Sequence, residues 1–458
     1  MHKDVLMMTE AKQSALKKVT WHILPYLFII YFIAFLDRSS ITYASIGGMD
    51  KDLGLTATTY GFIAGIFFIG YFLFGIPGNM MLEKIGARRW MAFILVFWGT
   101  VTLVTGFVAS VPMLIVLRFL LGVSEAGLFP GMTLYITYWI RSKDRARAIA
   151  AFMVAPPVAN SIGAPVATWI ITQVHMALNL EGWRWLFIII GIPAILMGVY
   201  TVFFLADKPN TAKWLTADEK SWLEKALADD VKQESEKKVI KAPFVDAFKD
   251  AKIWKMTGIN FFYCIGLYGI TFWMPQMVKS LSSDLTTMQV GLISAIPYLL
   301  GAVALVINGQ WSDRSGERIW HTAGGALLGG LGFIGAALTT SVPVMSVGFI
   351  CLSAIGVYAY SGPYWAITTT VDPRIAAVGL GIVNAVGNFG GFFGPYAIGW
   401  LKSATGSTTV GMYFLAGALI ITGLIVLTLH SSKSATQTAK ASDEEVTADA
   451  ETQSHPIN

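Results

Sequence analysis

Charged side chains are scarce in this sequence. Only 13% of its 458 residues are Asp, Glu, Lys or Arg, about half the ~25% usual for a soluble domain. Cysteine is rarer still. Cys264 and Cys351 both fall inside apolar stretches, which excludes a disulfide framework and a thiolate metal cluster. No His-Glu-x-x-His or Gly-x-Ser-x-Gly pattern occurs, and no histidine lies deep in an apolar stretch. Hydrolytic and zinc chemistry therefore lack their usual residues. No enzyme, metal or cofactor is expected. The net charge of +5 is spread over short loops, with no basic stripe interleaved with aromatics, so no nucleic-acid partner is expected either. The first ~18 residues are polar, and the apolar run from Trp21 lacks a small-residue cleavage site, so it reads as a retained membrane helix.

What the chain has in quantity is apolar length: 55% of residues are hydrophobic and the mean hydropathy is +0.60. Twelve segments are long enough to cross about 30 Å of hydrocarbon. Their approximate bounds are 20–45, 58–82, 90–108, 112–139, 147–173, 184–205, 253–278, 288–311, 320–339, 343–369, 376–401 and 410–429. The charged stretch 207–252 cannot insert and divides them six and six. The expected fold is an all-α membrane protein of twelve transmembrane helices in two six-helix pseudo-symmetric bundles, at 20–206 and 253–430. The central loop is 207–252, and polar tails lie at 1–19 and 431–458, the second acidic and disordered in expectation. In the central loop, Thr216-Ala217-Asp218-Glu219 fits a capping box ahead of Trp222 and Leu223, which predicts a surface helix.

Basic residues set the expected orientation. Ten (Lys84, Arg88, Arg89, Arg141, Lys143, Arg145, Arg147, Arg314, Arg318 and Arg374) lie in loops on one side, against four (Lys51, Arg184, Lys279 and Lys402) on the other. The positive-inside rule then places the first set, both termini and the central loop in the cytoplasm.

Against this apolar background, four charges stand out: Asp37 and Arg38 in the first segment, Arg118 and Glu125 in the fourth. Ionisable groups at membrane depth are costly and usually line an aqueous path. Two arginines beside two carboxylates point to a site that holds an anion and handles protons. Arg118 and Glu125 are seven residues apart, so they share a helix face about 10 Å apart along its axis. An interfacial helix end would also accommodate Asp37-Arg38, and snorkelling to the headgroups would accommodate Arg118. Glu125 has no such escape.

Two loops repeat. Asn79-Met80-Met81-Leu82-Glu83-Lys84-Ile85-Gly86-Ala87-Arg88-Arg89 joins segments 2 and 3, and Gly309-Gln310-Trp311-Ser312-Asp313-Arg314-Ser315-Gly316-Glu317-Arg318 joins segments 8 and 9. In each, an acid and a base are followed after one residue by a glycine and then by basic residues. The acid can face a helix N-terminus, the glycine permits a tight turn, and the bases anchor the loop at the membrane face. Glu83, Gly86, Arg88, Gly309, Asp313, Arg314 and Gly316 are the candidate gating residues.

With these loops the chain resembles the major facilitator superfamily, whose pattern is G-x-x-x-D-R/K-x-G-x-R/K-R/K. The second copy matches closely, with Glu317 at a variable position; the first has Asn79 for the leading glycine and Glu83 for the aspartate. Phe35-Leu36-Asp37-Arg38-Ser39-Ser40, Gly75-Ile76-Pro77-Gly78-Asn79 and Glu125-Ala126-Gly127-Leu128-Phe129-Pro130-Gly131 resemble its anion:cation symporter branch, above all the tartrate, phthalate and hydroxyphenylacetate permeases. The resemblance implies import of a small organic carboxylate by a monomer in the bacterial inner membrane, with the proton as coupling ion.

Arg38 and Arg118 are thus the candidate anion ligands, and Asp37 and Glu125 the candidate proton carriers. Segments 8 to 12 hold no deep acid or base, so the C-terminal half is expected to offer neutral contacts: Tyr268, Trp273, Trp365, Asn384 and Asn388. The resemblance places substrate contacts at Trp365 and Asn384, and likewise at Tyr71 in segment 2. Helix packing would equally occupy the aromatics, and interhelical hydrogen bonds the two amides. Efflux by antiport, or a receptor that binds the anion without moving it, are the alternative functions.

Overall fold

The computed structural model describes residues 2–236, 244–372 and 374–429; the acidic tail at 431–458 lies outside the described residues. Among those described, no strand occurs. Eleven helices among the described residues are long and apolar enough to cross a bilayer. In the first half they are α1 (Lys12–Leu53), α2 (Ala57–Ile85), α3 (Ala87–Thr105), α4 (Val111–Thr137), α5 (Ser142–Gln173) and α6 (Gly182–Phe204). The second half holds α7 (Ala251–Ser280), α8 (Thr287–Ser315), α9 (Ile319–Leu338), α10 (Pro343–Thr368) and α12 (Thr409–Leu427). The remaining expected segment is present as two abutting helices, Ala376–Asn388 and Gly390–Thr405, together α11. Neither piece alone is long enough to span, which is why only their sum completes the twelve.

Each of the eleven contains a membrane-length window that is strongly apolar with at most two charged residues, as a span requires. On α6, Phe203 and Phe204 are 73% and 71% exposed, a surface suited to lipid rather than water. Small residues set the closest approaches. A Cβ on Gly99 of α3 would lie 2.8 Å from the Gly191 carbonyl oxygen of α6, and one on Gly191 would lie 2.7 Å from that of Gly99. The two backbones therefore touch at a crossing that no larger residue permits.

The regular ladder lapses inside α4 at Ala126-Gly127, inside α5 at Met153-Val154, inside α10 at Tyr360 and inside α11 at Phe389. Backbone angles there stay right-handed and helical, so these are bends. α4 and α5 occupy in the first half the places that α10 and α11 occupy in the second. The bends thus repeat with the pseudo-symmetry, as in transporters built of two like halves.

Residues 2–19, grouped with the polar tail from sequence, are helical and run on into the first span. Ser14 and Lys18 there bond to Glu219 at 2.6 and 2.9 Å. Glu219 belongs to a surface helix, Ala217–Glu236, and closes the expected capping box. Thr216 N–H donates to its Oε2 at 2.8 Å, and Glu219 N–H donates to Thr216 Oγ1 at 3.3 Å. The face carrying this helix is the near face, and the opposite one the far face.

Hydrogen bonds between the two bundles run along the far half. Tyr60 O–H donates to the Phe272 carbonyl at 2.6 Å, and Thr42 to the same carbonyl at 2.7 Å. Gln276 donates to Ser45 Oγ at 3.1 Å, and Thr58 to Ser403 Oγ at 2.8 Å. The far face is closed.

Candidate functional site

α1 reaches mid-depth at Asp37 and Arg38 and continues as helix past them, and α4 brings Arg118 and Glu125 alongside. Asp37, Arg118 and Glu125 are each 1% exposed and Arg38 is 7% exposed. An interfacial helix end and a snorkelling arginine both need a charged head in water, and neither fits these burials.

The four charges are not arranged as two like pairs. Arg38 Nη2–H donates to Glu125 Oε2 at 2.5 Å, a buried ion pair. Its Nη1–H donates to Tyr268 O–H at 3.3 Å, linking the two bundles. The guanidinium lies 4.6 Å from the Phe35 ring centroid, 4.7 Å from that of Phe67 and 6.0 Å from that of Tyr71, an aromatic surround that favours a cation. Asp37 turns instead to α3: Trp98 Nε1–H and Thr102 Oγ1–H both donate to its Oδ2, the latter at 2.6 Å. Arg118 flanks the same Phe67 ring at 5.8 Å, yet none of its three guanidinium nitrogens has a hydrogen-bond partner.

Of the neutral candidates, Tyr71 and Tyr268 belong to this cluster. Cys264 lies one turn before Tyr268 on α7, hence on the same face. Its thiol approaches Asn388 Oδ1 at 3.8 Å, and Asn388 Nδ2–H donates to Asn384 Oδ1 at 2.7 Å. Cys264 and the two amides form an uncharged wall on the C-terminal side. Trp273 lies in the far seam: its Nε1–H donates to the Pro395 carbonyl at 3.1 Å, and its ring meets Tyr60 edge-on at 5.1 Å. Trp365 packs on Tyr364 at 5.5 Å and is 36% exposed.

The paired loops share one backbone device, a glycine at positive φ: Gly86 at 88° and Gly316 at 66°. Their side chains differ. Asp313 pairs with Arg318 at 2.6 Å, and the acid that caps α9 is Glu317, which accepts from Ile319 N–H and Trp320 N–H. Arg88 bonds to Asp207 at 3.2 Å, tying the start of α3 to the end of α6, while Glu83 stays exposed. Gly309 lies within α8 with open space where a side chain would sit, and Arg314 falls in its last turn.

Trp98, Thr102 and Phe67 escaped the sequence analysis, and Phe35 entered it only as part of a motif, not as a site residue. Trp98 and Thr102 are four apart on one helix face, a spacing that could have marked them as a pair. Nothing in the sequence shows that this face meets Asp37.

A profile of the Major Facilitator Superfamily matches residues 27–395. The chain belongs to that superfamily. It is 38% identical over 441 residues to a putative tartrate transporter of Agrobacterium vitis, covering 96% of each chain. To a quinolone resistance transporter of Acinetobacter baumannii it is 33% identical over 431 residues, covering 93% of this chain and 98% of the other. Its fold is similar to the partially occluded inward open conformation of the xylose transporter XylE from E. coli, with a TM-score of 0.72, 14% identity and coverage of 90% and 98%. As a member of the superfamily, the protein is a multi-pass membrane transporter and not an enzyme, and lipid surrounds its spans.

Proposed function

We propose that this transporter imports a small organic carboxylate (a sugar acid, a tartrate-like or an aromatic acid) by proton symport through alternating access, across the bacterial inner membrane. The observation that carries the reading is Arg118, a guanidinium buried at mid-depth with no partner. A buried charged group without hydrogen bonds is costly, and an arriving carboxylate removes that cost through charge-assisted hydrogen bonds. The tartrate-transporter relative supports a carboxylate as the cargo.

Proton coupling follows from the Arg38–Glu125 pair. A carboxylate beside Arg118 also attracts Arg38, which flanks the same Phe67 ring. As Arg38 turns to the anion, Glu125 loses its counter-charge, and a proton neutralises it in place. The converse is required by linkage: a proton on Glu125 frees Arg38 and tightens anion binding by the same factor. Couplings of this kind amount to about 1–3 kcal/mol, a factor of roughly 5–150 in affinity. Anion and proton then load together and leave together. Tyr268 joins Arg38 to the C-terminal bundle, so occupancy of the site bears directly on how the bundles meet.

Proteoliposomes loaded at neutral pH and placed in acidic medium test this. Radiolabelled tartrate, gluconate or benzoate is expected to accumulate inside and to leak out when a protonophore collapses the gradient. Extrusion, the second reading favoured by the quinolone-resistance relative, would instead show proton-driven movement of a drug in the opposite direction to its proton. Binding without any flux would identify a receptor.

A further inference from the structure

Arg118 is unpartnered although a carboxylate lies close by. Asp37 and Arg118 lie on the facing helices α1 and α4 and are near enough for their charges to act on one another. Asp37 Oδ1 is itself buried and without a partner. A guanidinium with no hydrogen-bond partner and a carboxylate with one unpaired oxygen would be expected to close on one another. They have not done so here, and α3 supplies the reason.

The Oδ2 of Asp37 takes two hydrogen bonds from α3, from Trp98 Nε1–H and Thr102 Oγ1–H. Both donors are fixed. Trp98 is fully buried and Thr102 is 1% exposed, and α3 is locked against α6 at the Gly99–Gly191 crossing, one residue beyond Trp98. A carboxylate gains strongly from two donors in a low-dielectric setting, and their positions draw it toward α3.

We propose that Trp98 and Thr102 are positioning residues that hold Asp37 on the α3 side, keeping Arg118 open to an anion. The inference rests on the carboxylate-symport reading above, since it needs Arg118 to be an anion ligand. Asp37 then keeps a charge within reach of Arg118 without occupying it. In the empty site its pull steadies the arginine; in the loaded site the anion takes the guanidinium and the α3 donors retain Asp37. Without those donors, Asp37 becomes a built-in competitor for the substrate.

Thr102→Val and Trp98→Phe remove one donor each while keeping most of the volume. Binding of radiolabelled tartrate, gluconate and benzoate to the purified full chain is measured for wild type, both variants and each combined with Asp37→Asn. Each single variant should bind the ligand that wild type prefers at least about tenfold more weakly, the loss expected for a hydrogen bond to a charged group. Adding Asp37→Asn should restore wild-type affinity, because an amide cannot compete for the arginine as a carboxylate does. A general packing defect would not be rescued in this way. Unchanged affinity in both single variants overturns the proposal, as does a loss that Asp37→Asn fails to reverse. If wild type binds none of the three ligands, the carboxylate reading fails first, and the inference goes with it.

Discussion

Arg38 donates to Glu125 at 2.5 Å, whereas Arg118, seven residues before that glutamate on the same helix, has no partner for any guanidinium nitrogen. The two arginines look equivalent in the sequence and are not equivalent in the protein. One is committed to a carboxylate and to Tyr268; the other is free to meet a ligand.

Their substitutions should therefore differ in kind. Arg118→Met is expected to lower anion affinity by at least about thirtyfold, as loss of one partner in a buried charge pair does. Stability should fall far less than in an Arg38 variant, because Arg118 gives up no hydrogen bond and Asp37 keeps its two donors from α3. Arg38→Ala should also abolish anion binding, but it strands Glu125 and should cost about 3–5 kcal/mol of stability. Thermal unfolding in detergent, run beside a binding assay, separates the two patterns.

The far seam can be tested by cross-linking. Thr58 and Ser403 lie on opposite bundles with their hydroxyls 2.8 Å apart. In a Thr58→Cys/Ser403→Cys variant a mild oxidant should join the bundles and stop uptake, and a reductant should restore it. Undiminished uptake in the cross-linked protein would mean that this face need not open during transport.

At the near face, Glu219 resists burial-driven protonation because Ser14, Lys18 and the Thr216 backbone all donate to it, which holds its carboxyl down from 4.5 to about 2. Docking of the surface helix on α1 is accordingly at full strength above about pH 4.5 and fades as pH falls through about 2. Amide hydrogen exchange over 217–236 should stay slow from pH 7 to 5 and lose protection only in strong acid. Glu219→Gln should show weakened protection already at neutral pH.

The architecture was legible because apolar length and the spacing of charged loops report directly on a bilayer. The four central charges were legible for the same reason, being the residues that lipid does not explain. Their pairing was not. Whether Arg38 or Arg118 meets Glu125 depends on the rotation of α1 against α4, and the hold of Trp98 and Thr102 on Asp37 depends on which face of α3 turns inward. Trp273 shows a further limit: a mid-span tryptophan reads alike whether it lines a site or, as here, closes the seam against Tyr60 and Pro395. Glu317 shows another, since a variable motif position turned out to cap α9.

In the proposed cycle, Glu125 exchanges its bond with Arg38 for a proton whenever an anion is taken up. Glu125→Gln in proteoliposomes tests it most directly, with one-for-one exchange of labelled for unlabelled substrate and net accumulation under an inward proton gradient measured on the same preparation. Exchange should survive while accumulation against a gradient is lost. Accumulation equal to wild type in that variant would contradict the cycle.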